Sequence, residues 1–171
     1  MEIFSYVLEG ALEHQDSLGN TRTLRPGQIQ LMSAGRGVTH SEYNPNPVEA
    51  THMLQIWIQP LTSGLTPSYT EWHPRPESDR EAKVLVISPT GREGSATIHQ
   101  DADVFRLLLQ PGKSVFHTLR PGRGLWLQVL RGRVTMNGLA LAAGDGASSE
   151  QSNNFEIRAD KAAEALLFDL R

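Results

Sequence analysis

The sequence contains no cysteine. That excludes a disulfide framework, thiolate catalysis and thiolate metal ligands, and it fits a reducing compartment such as the cytoplasm. No run approaches the ~18 apolar residues of a membrane-spanning helix. The opening residues Met1-Glu2-Ile3-Phe4-Ser5-Tyr6 carry neither a basic n-region nor a cleavage pattern, so they do not read as a signal peptide. Nor is there a block of basic residues. With 16 Lys and Arg against 19 Asp and Glu, and a net charge of −3, the chain offers no phosphate-binding stripe, which argues against direct nucleic-acid contact. Helical periodicity is also scarce: a single turn is expected, near residues 160–163.

What is present is strand and turn. The 171 residues are 39% hydrophobic and 20% charged, enough for a packed core in one domain or two small ones. Short apolar or alternating segments recur, as in residues 1–8, 29–32, 51–59, 83–88 and 104–110. Between them stand turn formers: Pro26-Gly27, Pro111-Gly112, Pro121-Gly122, Asn137-Gly138 and Gly144-Asp145-Gly146. Many short strands at close spacing predict an all-β sandwich or barrel. Pro67, Pro74 and Pro76 punctuate residues 61–82, which read as a connector between residues 1–60 and 83–171. The two flanking parts share a pattern. Tyr6-Val7-Leu8-Glu9-Gly10 resembles Gln128-Val129-Leu130-Arg131-Gly132, and each is followed by a hairpin and a turn, at Arg25-Pro26-Gly27-Gln28 and at Ala142-Ala143-Gly144-Asp145. This predicts a duplicated small barrel.

One stretch carries chemistry. After the glycine turn at Gly35 and Gly37, His40 and Glu42 stand two residues apart. In a strand, i and i+2 point to the same face. An imidazole and a carboxylate side by side are ligands for iron, manganese, nickel or zinc. A working site needs a third protein ligand, and His14 and His52 are the candidates within the same part of the chain. His73 and His99 read as surface residues. His117 stands alone in the second part, which has no His-x-Glu after its Gly144 turn, so that part reads as metal-free.

Residues 6–20 (YVLEGALEHQDSLGN), 25–45 (RPGQIQLMSAGRGVTHSEYNP) and 54–58 (LQIWI) are similar to the pirin family, and in particular to its bacterial quercetin 2,3-dioxygenase-like members. The resemblance implies a bicupin of two jelly-roll barrels, with one metal, usually iron, in the first. It implies His40 and Glu42 as two of four ligands, and Gln55 as a cavity residue. Glu42 is a ligand or the base that takes a substrate proton. The implied reaction opens a flavonol such as quercetin with O₂ and releases carbon monoxide, in an apolar pocket near Met32, Tyr6 or Trp57. The family's other two ligands lie on a His-x-His segment upstream of the position of Met1. A first barrel lacking its opening strands, loss of metal or activity, and self-association through an opened barrel are therefore expected. The alternative readings are a metal-dependent, non-catalytic binding partner of transcription regulators, and an inactive remnant.

Overall fold

The computed structural model describes residues 1–151 and 154–171. Their regular structure is strand throughout, apart from one 3-10 turn at Arg92–Gly94, as the all-β expectation requires. Among them no helix is long and apolar enough to cross a membrane. The chain forms two compact units, Met1–Pro74 with Pro89–Gln100, and Arg75–Ser88 with Asp101–Arg171.

The first unit opens with β1 (Glu2–Glu9), β2 (Leu12–Asp16), β3 (Thr21–Leu24), β4 (Ile29–Ser33), β5 (His40–Tyr43), β6 (His52–Ile58) and β7 (Ser68–Trp72). Two sheets result, one in the order β6-β1-β4-β7 and one in the order β3-β2-β5. β1 is a central strand, and it is buried from Glu2 to Leu8. Its apolar residues of both parities, Phe4 and Tyr6 against Ile3 and Val7, suit a strand covered on both faces. The stretch 61–82 carries a full strand, β7, which pairs with β4, and Trp72 at its end is buried.

The second unit begins with β8 (Lys83–Ser88). The chain next supplies β9 (Ala96–Thr97) to the first unit, then completes the second with β10 (Ala102–Leu109), β11 (Ser114–Thr118), β12 (Gly124–Met136), β13 (Leu139–Ala142), β14 (Gly146–Ser149) and β15 (Asn154–Leu170). Its sheet runs β13-β12-β15-β10-β8, with β11 also on β15 and β14 on β12. Leu107, Leu127, Val129, Val134, Ile157 and Leu167 fill the core. The turn expected at residues 160–163 is instead continuous strand. Val134 pairs with Ala159 and Arg133 with Lys161, and this long-range pairing overrides the local preference of an Asp-Lys-Ala-Ala segment.

The sequence repeat is structural. Gly10 and Gly132 have φ of 73° and 77°. A Cβ on Gly10 would stand 2.5 Å from the carbonyl oxygen of Ala50, and one on Gly132 would collide with that of Ala162. Only glycine satisfies both demands. The paired turns also correspond: Gln28 N–H donates to the Arg25 carbonyl at 3.0 Å, and Asp145 N–H to that of Ala142 at 2.9 Å.

Candidate metal centre

Two polar rows, one on each sheet of the first unit, converge on Glu42. Across β6, β1, β4 and β7 the directly paired residues are Gln55, Ser5, Gln30 and Glu71. Across β3, β2 and β5 they are Arg22, His14 and Glu42. Ser5, His14 and Gln30 are buried, and buried polar groups must find partners. They find them between the rows. Glu42 Oε1 accepts from Ser5 Oγ at 3.3 Å and from Gln30 Nε2, and Glu42 Oε2 accepts from Gln55 Nε2 at 2.5 Å. Arg22 Nε lies 3.3 Å from Glu71 Oε1 and joins the ends of the rows.

His40 and Glu42 share a face of β5, as their spacing predicts. His14 joins them because it is the cross-strand partner of Glu42. A nitrogen of each imidazole and an oxygen of Glu42 all lie within 4.8 Å of one another. The two imidazole rings are 5.6 Å apart, and the Tyr69 ring packs on His14 from 5.1 Å. His52 lies on the face of β6 opposite Gln55 and does not enter this group, whereas Gln55 does. Met32 follows Gln30 on the same face of β4. Tyr6 faces away, because it alternates with Ser5 on β1.

The donor set fits a divalent cation. His14 Nε2 is 3.2 Å from Asp16 Oδ2. Burial pushes the Asp16 carboxyl upward, but hydrogen bonds from the Asn20 side chain and backbone, from His14 and from Leu18 N–H outweigh it and hold its pKa at about 2. An ionised Asp16 fixes the His14 proton on Nε2 and leaves Nδ1 as the lone pair, 3.6 Å from Glu42 Oε1 and 3.3 Å from Gln30 Nε2. An imidazole that donates its far N–H to a carboxylate is the usual posture of a metal ligand. His40 Nδ1 is buried with no hydrogen-bond partner, so no hydrogen bond at that atom commits the imidazole to a neighbour.

Sequence reasoning did not find Ser5, Asp16, Gln30, Tyr69 or Glu71. Tyr69 donates to Glu71 Oε1 at 2.9 Å, and its hydroxyl stands 3.3 Å from Gln30 Oε1; burial first, then the Glu71 carboxylate, pushes the phenol pKa well up. The available signal was a polar residue inside an otherwise apolar strand, Ser5 in β1 and Gln30 in β4. His117 in the second unit is 3.0 Å from Asp169 and 3.1 Å from Lys83 Nζ, within an ionic cluster that also holds Arg123.

Comparison with known proteins shows the family. Residues 1–58 match the family model for pirin, and residues 85–170 match that for the quercetinase C-terminal cupin domain. The chain is 44% identical over 170 residues to a quercetin 2,3-dioxygenase of Escherichia coli, covering 99% of this chain and 72% of that one. It is 40% identical over 172 residues to a putative quercetin 2,3-dioxygenase of Pasteurella multocida, again covering 99% and 72%. Among solved structures, that of YhhW from Escherichia coli superposes with a TM-score of 0.95 at 42% identity, covering 99% of this chain and 71% of YhhW. The nickel(II) complex of the same bacterial pirin gives 0.93 at 43%, covering 99% and 72%. The chain belongs to the pirin family, with two cupin domains.

Proposed function

We propose that the first unit binds one divalent metal ion through His40 and Glu42, with His14 as the third ligand, and that the protein is a dioxygenase of the quercetin 2,3-dioxygenase type. The observation that carries this is the convergence of one nitrogen of each imidazole and one oxygen of Glu42 within 4.8 Å. Two imidazoles and a carboxylate accept iron or nickel alike. Iron is the metal implied by the resemblance, and nickel(II) is the ion in the complex of the related YhhW. In the same reading residues 1–60 form most of the metal-bearing cupin and 83–171 most of the metal-free one, while the connecting stretch 61–82 adds β7 to the first unit and residues 89–100 also group with it.

A bound ion supplies a Lewis acid that makes a substrate hydroxyl more acidic and a redox centre for O₂. The protein's own part is to place the carboxylate. Glu42 Oε1 already accepts from Ser5 and Gln30, and Oε2 accepts from Gln55. Each carboxylate oxygen has two lone pairs, so one site is left on Oε2. It can hold a ligand bond or a proton, but not both. Glu42 therefore serves as ligand, and the substrate proton leaves by another route. Ligation by His14 exchanges its 3.3 Å contact with Gln30 for a metal bond.

Protein loaded with iron(II) without air, then given quercetin and O₂, tests this reading. Consumption of one O₂ per flavonol with release of one carbon monoxide is the expected result. Absence of flavonol turnover at full metal loading overturns it.

A further inference from the structure

Gln55 is exposed on the edge strand β6, yet both ends of its amide are committed. Its Oε1 accepts from the indole N–H of Trp57 at 3.1 Å, and its Nε2 donates to Glu42 Oε2 at 2.5 Å. The amide orientation is chemically forced. An indole nitrogen only donates and an ionised carboxylate only accepts, so the oxygen must face Trp57 and the nitrogen Glu42. Gln55 and Trp57 are i and i+2 on β6 and share a face. Trp57 is itself 61% exposed. A large aromatic left in solvent, with its one polar atom spent on a neighbouring amide, is placed to orient that amide.

Resting on the metal-binding reading above, we propose that Gln55 is a positioning residue for Glu42, and that Trp57 fixes the Gln55 amide. The pair acts as an arm that fixes the Glu42 carboxylate beside the two histidines and leaves Oε2 a single coordinating lone pair. A carboxylate held this way resists swinging to chelate with both oxygens, because Oε1 is held by Ser5 and Gln30. Outer groups that orient ligands typically contribute about 10- to 100-fold in metal affinity.

The test uses nickel(II) affinity of the full chain, by competition with a chelating dye, alongside the indole ¹H–¹⁵N resonance of Trp57, assigned with Trp57→Phe. Gln55→Leu is expected to weaken nickel binding at least tenfold while leaving the circular dichroism and unfolding midpoint unchanged. Trp57→Phe is expected to weaken it by a smaller factor in the same direction. In metal-free protein, Glu42→Ala is expected to shift the Trp57 indole resonance and leave those of Trp72 and Trp126 in place. Unchanged nickel affinity in both Gln55→Leu and Trp57→Phe overturns the arm and leaves the metal site standing. Failure of the unsubstituted chain to bind nickel overturns the metal reading and the arm together. An indole resonance indifferent to Glu42→Ala overturns the arm even if nickel binds.

Discussion

Asp16 accepts a hydrogen bond from His14 Nε2 at 3.2 Å, and both side chains are fully buried. The same carboxylate accepts from Leu18 N–H at 2.9 Å and from the Asn20 side chain at 2.7 Å, so it ties the β2–β3 hairpin to the proposed metal site. Asp16→Asn loses the charge that fixes the His14 tautomer. We expect metal affinity to fall about 10- to 100-fold and stability by about 1–3 kcal/mol. Metal competition and urea unfolding read the two effects separately. Full metal affinity in a destabilised variant would confine Asp16 to the hairpin.

The two glycine kinks differ in kind from the open turn glycines. Gly10→Ala and Gly132→Ala each combine a left-handed backbone with a collision against a carbonyl. Each should cost more than the ~1–3 kcal/mol of backbone strain alone. Gly144→Ala, with φ of 93° but open space around it, should cost only the strain. Urea midpoints for the three variants check the order; equal losses would mean that the close approach contributes nothing.

Asp169 gives the second unit a pH dependence. Burial raises its carboxyl pKa, but hydrogen bonds and charge from His117 and Arg123 outweigh this and hold it below the usual carboxylate value. A carboxyl lowered on folding stabilises the fold above its unfolded pKa, about 3.9. That contribution fades as pH falls through the folded value. Asp169→Asn leaves the buried Arg123 with the Asp101 carboxylate as its remaining anionic partner, a loss of about 1–3 kcal/mol near neutral pH. The gap between variant and parent should narrow below about pH 4. Urea unfolding at pH 7 and pH 3 measures it, and an equal gap at both would refute the assignment.

Trp72 tests whether residues 61–82 do more than link. It closes β7 at 3% exposure, opposite Ile29. Trp72→Ala should destabilise by about 3–5 kcal/mol. A near-neutral result in calorimetry would mean that β7 adds little to the first unit.

The parity of His40 and Glu42 was legible because it needs only the two-residue period of a strand. So were the duplicated glycine kinks and their turns. His14 was not placed by spacing, because its meeting with Glu42 depends on β2–β5 register, which is set by contacts distant in sequence. For the same reason Gln30 and Ser5 read as stray polar residues until β1 and β4 brought them to Glu42. Residues 160–163 carried a helical preference that pairing with β12 overrode, and the prolines of residues 61–82 masked the strand at Ser68–Trp72.

The most direct measurement is metal content per chain after incubation with iron(II) or nickel(II) and gel filtration, for the unsubstituted protein and for His40→Ala, Glu42→Ala and His14→Ala. The account predicts one ion per chain, lost in the first two variants and reduced in the third. No bound ion in the unsubstituted protein, or one retained equally by His40→Ala, would contradict it.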